Sequence, residues 1–360
     1  MMPRVLLARP DHLGDVVLAL PAARLLKAAI PGARVDALAP ASLAAIVERC
    51  PWVDDVVSAP FPDPTAADEP HGWAEVVAVI APALAGRYDA ALVPRIDDPW
   101  SGSLVAAAAI PVRAGYDHSR TARFLTHRLP VPDRRHVTRL AGDLVASVAA
   151  ALEVSSRRLG EPATEPWLMP DTAGIAEAQQ RLAGLGIVPS SGYVVLHPGS
   201  SWPIKAWRPE RWGAVARHVA ERHGLPVVVS GGRSEEALVA AVVAASDGSA
   251  NGLAGSLSLG GLLGLLAGAR LVAGVDSGPL QVAAAAGVPV AALFGPADPA
   301  EFAPWALAGQ LAIVRARLPC SPCRALDAPP CGAATLPACV EAAQVAGMTR
   351  VVDRLLGMPG

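Results

Sequence analysis

Three short segments carry residue types that can do chemistry, and each follows what reads as a buried strand. The first is Arg9-Pro10-Asp11-His12-Leu13-Gly14-Asp15, after Val5-Leu6-Leu7-Ala8. Gly14 permits a tight turn, and Asp15 stands where that turn enters a helix. A carboxylate there either caps the helix and offsets its dipole or serves as a general base. The second is His197-Pro198-Gly199-Ser200-Ser201-Trp202-Pro203-Ile204-Lys205-Ala206-Trp207-Arg208-Pro209. Gly199, Ser200 and Ser201 expose backbone N–H groups, and Lys205 and Arg208 add positive charge, a set that suits a diphosphate. A solvated surface loop has the same composition. Of 30 basic residues only Lys27 and Lys205 are lysine, which favours a role for Lys205. The third segment is Gly274-Val275-Asp276-Ser277-Gly278-Pro279. The N–H groups of Ser277 and Gly278 at a helix start suit a phosphate. Asp276 either accepts hydrogen bonds from sugar hydroxyls or caps the helix.

Three weaker sets complete the inventory. Gly231-Gly232 followed by Glu235 offers a carboxylate to ribose hydroxyls, or only a helix-start glutamate. Between His118 and Arg139 lie six arginines and three histidines, Arg120 and Arg123 among them. They form either a solvated face or an anionic acceptor site. Cys320, Cys323, Cys331 and Cys339 read C-x₂-C-x₇-C-x₇-C, a set of thiolates that fits one structural zinc or iron ion. The alternative is four reduced thiols in a proline-rich loop. Structural disulfides are unusual for such a cluster in a cytosolic protein.

The elements that must position these residues follow one grammar. Strand, helix and strand at Val5–Ala8, Val16–Ala29 and Arg34–Leu38 make a βαβ unit, with later strands at Val56–Val57 and Ala90–Val93. The pattern lapses at Ser155-Ser156-Arg157-Arg158 and Glu161 to Pro166, which reads as a linker. It restarts with strands at Tyr193–Leu196, Pro226–Ser230, Ala269–Val275 and Pro289–Phe294, and with helices at Glu210–Arg222, Ser234–Ala245, Leu280–Ala286 and Cys339–Leu356. The expected division is one domain over 1–160, a second over 161–337 with the cysteine loop, and a C-terminal helix over 338–360. In open α/β sheets, ligands bind at the carboxyl ends of the strands, where all three chemical segments fall.

The bulk composition excludes several classes. At 360 residues, 52% apolar and 17% charged, the chain is not disordered and suits two domains. No apolar run reaches the roughly 18 residues of a membrane span. Arg9, Pro10 and Asp11 interrupt any leader-like apolar start. The expectation is a cytoplasmic protein, with room for peripheral contact at the inner face of the cytoplasmic membrane. A net charge of −2 argues against a general nucleic-acid partner. Around the arginines only Tyr116 and Phe124 are aromatic, too few for stacking on single strands. No G-x-G-x-x-G follows the first strand, against a nicotinamide enzyme.

Together the three segments resemble glycosyltransferase family 9, of the lipopolysaccharide heptosyltransferase type. The family opens with a strand, a G-D turn and a helix with an early proline, here Leu13-Gly14-Asp15 through Pro21. Its second domain carries an H-P-G stretch ending K-x-W, matched by His197 to Trp207. A G-x-D-(S/T)-G-P signature running to F-G-P is matched by Gly274 to Pro296. The resemblance implies a GT-B fold, two Rossmann-like α/β domains facing across a cleft, the N-terminal one (1–160) binding the acceptor and the C-terminal one (161–337) the nucleotide sugar. It implies transfer of heptose from ADP-L-glycero-D-manno-heptose to a glycan or glycolipid hydroxyl, with inversion and without a catalytic cofactor. It places Asp15 as general base, Lys205 at the phosphates, Asp276 at the donor sugar, and Ser277 and Gly278 at the diphosphate. One position departs: the family usually has histidine where this chain has Gln281, which hydrogen-bonds but carries no charge. That departure bears on the donor contacts and on the sugar. The competing readings are a GT-B enzyme with another nucleotide sugar and a non-catalytic sugar-nucleotide-binding protein. The presence of both Asp15 and Lys205 argues against the latter.

Overall fold

The structure, a computed structural model, describes residues 2–59, 73–153, 160–161 and 163–357. The chain divides into two units, Met1–Trp167 and Leu168–Gly360. The first holds a six-stranded sheet of β1 (Arg4–Ala8), β2 (Arg34–Pro40), β3 (Asp55–Ala59), β4 (Ala90–Leu92), β5 (Val112–Tyr116) and β6 (His127–Leu129). Its order is β3-β2-β1-β4-β5-β6, and every pairing is parallel.

Parallel sheets need both faces covered, and β1 is apolar on both. Val5 and Leu7 enter one core layer with Leu25, Leu26, Leu144 and Val145. Leu6 and Ala8 enter the other with Leu84, Leu104 and Val105. The single helix expected over Val16–Ala29 is two, Leu13–Ala19 and Pro21–Ala29. Pro21 lacks the N–H an interior position needs, so it starts a new helix instead.

The second unit repeats the plan with β7 (Val194–His197), β8 (Val227–Gly231), β9 (Ala250–Ala254), β10 (Leu271–Val275), β11 (Val290–Leu293) and β12 (Leu311–Val314). The order is β12-β11-β10-β7-β8-β9, again parallel throughout. Read from β9, it is the same 3-2-1-4-5-6 winding as the first sheet, the Rossmann order. Trp212, Val215 and Val219 of helix Pro209–His223 pack with Met348 and Val352 of helix Val345–Leu356 over the sheet residues Val194, Leu196 and Val227.

The final helix expected over Cys339–Leu356 is broken into Ala338–Glu341 and Val345–Leu356, and both lie in the second unit. The unit boundary falls seven residues later than the expected 160/161. Glu161 pairs with Arg139, Glu165 with Arg24, and buried Trp167 donates its indole N–H to the Val17 carbonyl, so this segment is fastened to the first unit. The stretch 155–158, read as linker, lies outside the described residues. Among the described residues no helix is long and apolar enough to cross a membrane.

Candidate active site

The chain order of each sheet reverses once, between β1 and β4 in the first unit and between β7 and β10 in the second. Loops leaving the carboxyl ends of two such strands diverge and leave a crevice. Each unit sets a charged cluster there.

In the first unit the loop after β1 supplies Arg9, Asp11 and Asp15, and the loop after β4 supplies Arg95 and Asp97. Arg9 Nη2 lies 2.9 Å from Asp15 Oδ1 and 3.3 Å from Asp11 Oδ2. Arg95 Nη1 reaches the same Asp11 oxygen at 2.8 Å, and its Nε reaches Asp97 Oδ1 at 2.9 Å. The His12 N–H donates to Asp11 Oδ1. Burial would raise the Asp11 carboxyl, but Arg9, Arg95 and this N–H outweigh it and hold it below the usual carboxylate range. Asp15 goes the other way: burial, then the like charge of Asp11, push it up against the pull of Arg9. Asp15 is not a helix cap. The N-cap is His12, without a side-chain cap bond, and Asp15 stands in the first turn with its carboxylate turned to Arg9. The side chain remains 26% exposed, so solutes reach it.

This arrangement gives two carboxylates with opposed shifts, one fixed as an anion between arginines and one made more basic. Such a split is how a site assigns a proton acceptor. Arg95 and Asp97 escaped the sequence reading. Their signal was available, since Pro94-Arg95-Ile96-Asp97-Asp98 is a polar turn directly after a strand, like the three segments singled out. The 118–124 loop is tied to this turn, Thr121 Oγ1 donating to the Ile96 carbonyl at 2.7 Å. Arg120 and Arg123 in that loop are exposed; Arg120 acts electrostatically on Asp97, and Arg123 stacks over Phe124 with 4.7 Å to the ring centroid. Arg128, Arg135 and Arg139 are paired with Asp117, Asp143 and Glu161. The arginine cluster is therefore partly structural, and only its loop portion borders the site.

In the second unit Lys205 Nζ lies 2.7 Å from Asp276 Oδ2, with side chains only 13% and 8% exposed. Lys205 comes from the loop after β7 and Asp276 from the end of β10. Asp276 does not cap the helix Gly278–Ala285: its N-cap is Ser277, which makes no side-chain cap bond. The Ser277 Oγ is buried without a partner among the described residues. Gln281, one turn further on, is buried. Its Nε2 donates to the Phe302 carbonyl at 2.9 Å, which leaves Oε1 as a buried acceptor without a partner. A ligand that donates hydrogen bonds would satisfy both atoms.

Glu235 closes the other side of the β7 loop. It accepts from the Gly232 N–H at 2.8 Å, its carboxylate stands 3.8 Å from His197 Nε2, and a methyl on Gly199 would collide with it. Gly199 is required by this close approach, and Gly231 and Gly232 make the turn that brings Glu235 back. Burial lowers the His197 imidazole despite Glu235, and its Nδ1 shares a 3.0 Å hydrogen bond with Ser230. Ser200 turns inward to accept from the Trp202 N–H, and Ser201 is exposed. Arg208, expected beside the diphosphate, engages both oxygens of Glu341 at 2.9 and 3.0 Å.

The cysteine segment packs against this loop system. Cys320, Cys323, Cys331 and Cys339 line one pocket together with Ile204 and Pro296. Ser321 Oγ donates to the Gly295 carbonyl, the Arg324 N–H donates to the Pro296 carbonyl, and Arg324 pairs with Glu301. Burial, then Cys323 and the other two thiols, raise the Cys339 thiol. Among the described residues, however, only His218, His223 and Asp353 bring three ligand atoms within 4.8 Å of one another.

Two units of Rossmann order, each with charge at the reversal point of its sheet, are the parts of a GT-B fold. The family model of glycosyltransferase family 9 (heptosyltransferase) matches residues 78–329. The chain belongs to this family. It is 26% identical over 305 residues to lipopolysaccharide heptosyltransferase 3 of Escherichia coli, covering 81% of this chain and 83% of that protein. The solved ADP-heptose lipopolysaccharide heptosyltransferase II of E. coli superposes with a TM-score of 0.73 at 19% identity, covering 98% of both chains. An E. coli heptosyltransferase solved with ADP-2-deoxy-2-fluoro heptose gives 0.64 at 22% identity, covering 87% of this chain and 93% of that one.

Proposed function

We propose that the protein transfers a heptose from an ADP-activated donor to a hydroxyl of an anionic glycan or glycolipid, at the inner face of the cytoplasmic membrane. Two observations support the donor: the relatives are heptosyltransferases, and one structural neighbour was solved with an ADP-heptose analogue. The observation that carries the chemistry is the opposed pair of carboxylates, Asp11 held as an anion and Asp15 raised. An acceptor hydroxyl is far too weak an acid to attack unaided. Asp15 takes its proton as the oxygen bonds to the anomeric carbon from the face opposite the diphosphate, and ADP departs with the electron pair of the broken C–O bond. Base assistance of this kind is worth about 10²–10⁴-fold.

Lys205 and the N–H groups at Ser277 and Gly278 meet the charge gathered on the departing diphosphate, the larger electrostatic contribution. Lys205 must leave Asp276 for this, and Asp276 is then free to accept from the donor sugar. Glu235 is assigned to the ribose. Arg208 is assigned to bracing the loop, through Glu341. Arg120 and Arg123 are assigned to the phosphates of the acceptor. The four cysteines are assigned a structural zinc or iron ion: soft thiolate donors suit either, and a cation would favour the Cys339 thiolate against the burial and neighbouring thiols that raise it. The ion would pin the 320–339 loop and take no part in transfer.

Gln281 favours a second reading, confined to the donor sugar. Its unpartnered Oε1 accepts a hydrogen bond where a cationic histidine could only donate. This favours a sugar with a hydroxyl at that point and makes ADP-hexoses the competitors of ADP-heptose.

The test is acceptor-dependent ADP release with ADP-heptose, ADP-glucose and UDP-sugars, using a phosphorylated lipopolysaccharide core as acceptor. Turnover with an ADP-sugar, lost about 10²–10⁴-fold in Asp15→Asn, is expected. Normal turnover in Asp15→Asn overturns the base. Turnover only with UDP-sugars overturns the donor.

A further inference from the structure

Away from the transfer site, helix Pro209–His223 presents two histidines to one carboxylate of helix Val345–Leu356. His218 Nε2 lies 2.8 Å and His223 Nε2 2.7 Å from the same atom, Asp353 Oδ1. The second oxygen, Oδ2, lies 3.4 Å from Arg222 Nε. The three side chains are 29%, 19% and 29% exposed in the order His218, His223, Asp353. The helices that carry them are fixed against each other by Val215, Val219, Met348 and Val352 in the core. His218 lies ten residues beyond Arg208, or about 15 Å along the helix axis, so the cluster is remote from Lys205.

We propose that His218, His223 and Asp353 form a binding site for a divalent transition-metal ion that cross-links the C-terminal helix to helix Pro209–His223. Two imidazoles and one carboxylate are the donor set that zinc, nickel and cobalt accept, with water completing the shell. The geometry is already convergent, since three ligand atoms from two separate helices meet at one point. A metal about 2.0–2.2 Å from each atom holds neighbouring ligands roughly 3 Å apart, so only a small separation is needed. Arg222 occupies Oδ2, which keeps Asp353 monodentate and balances its charge before metal arrives. The partial exposure admits both the ion and its waters. The proposal is independent of the donor and the acceptor, because none of these residues borders the transfer site.

The cysteines also attract such ions, and the experiment must separate the two. Chelator-stripped full-length protein is titrated with nickel by calorimetry and with cobalt by absorption spectroscopy, both in the native chain and in a Cys320→Ser/Cys331→Ser variant. Cobalt bound by thiolates shows intense near-ultraviolet charge transfer; cobalt bound by imidazole and carboxylate shows only weak visible bands. The expected result is one nickel per chain in the serine variant, cobalt without the thiolate band, and a higher melting temperature. Outer-shell partners alone are worth about 10–100-fold in metal affinity, so His223→Ala and His218→Gln should each weaken nickel by at least about tenfold. His218→Gln keeps a hydrogen bond to Asp353, which guards against a merely unfolded helix. No nickel bound in the serine variant, or nickel affinity in both histidine variants unchanged from their parent, overturns the site and leaves the cluster a hydrogen-bonded staple.

Discussion

Asp15 and Asp11 show how two like residues four positions apart take different roles. Both are pushed up by burial, but Asp11 sits between two guanidinium groups and stays an anion, whereas Asp15 contacts one and faces the charge of Asp11. The acidic limb of kcat/KM should therefore lie above the ordinary aspartate value of about 3.9. With Asp15 as the proposed base, activity should fall as pH drops through its pKa, because a base must be ionised to take a proton. Asp11→Asn removes the like charge, so the limb should move to lower pH; Arg9→Met removes the attraction, so it should move up. A pH–rate profile of the three proteins checks both signs. The raised pKa has a stability corollary: the stability it contributes is present below the unfolded value and lost as pH rises. Ionised Asp15 thus costs stability at neutral pH, and Asp15→Asn should melt no lower than the parent while losing turnover. Lys205 and Asp276 behave as a pair. Removing either partner strands a mostly buried charge at a cost of about 3–5 kcal/mol, while removing both can be nearly neutral. Denaturant melts should show Lys205→Met and Asp276→Leu each destabilised and the double variant largely restored. Strict additivity of the two losses would mean that the pair is not coupled.

The elements explain what the sequence disclosed and what it hid. Strands β1, β7, β8, β10 and β11 were legible because runs such as Val194-Val195-Leu196 and Val227-Val228-Val229 are apolar on both faces. β6, His127-Arg128-Leu129, and β9, Ala250-Asn251-Gly252-Leu253-Ala254, were not legible. As sheet-edge strands they carry polar residues and glycine that no strand pattern flags. The breaks at Pro21 and between Glu341 and Val345 were hidden by apolar content continuing across them. Asp15, Lys205 and Asp276 were legible as residues. The Lys205–Asp276 pairing was not, because it spans 71 positions and becomes a contact only when β10 pairs with β7. At this scale the cysteine segment braces the loop after β7: Ile204 lines the thiol pocket, and Arg208 and Arg211 hold Glu341, two residues after Cys339. Cys323→Ser/Cys339→Ser should therefore raise KM for the ADP-sugar several-fold with little change in kcat. An unchanged KM with a lowered melting temperature would restrict the cysteines to folding.

Across the whole molecule, one winding is used twice and given two kinds of chemistry. Both sheets run 3-2-1-4-5-6, and both put charge at the reversal point. The first carries two carboxylates among arginines, and the second carries a cation paired with a carboxylate at a helix start. If catalysis belongs to the first unit and donor binding to the second, the two functions should separate by mutation. A ligand that binds only the folded state at about 100 times its Kd adds roughly 2.7 kcal/mol. For a unit near 190 residues that is a rise of several degrees in melting temperature. Asp15→Asn should keep this rise with ADP-heptose, because it leaves the second unit intact. Lys205→Met should lose most of it, even though its Asp15 is untouched. Both variants should be inactive, the first because bound donor is not attacked and the second because donor is not held. Loss of the ADP-heptose shift in Asp15→Asn would show that donor affinity depends on the first unit as well. The assignment of one function to each sheet would then have to be abandoned.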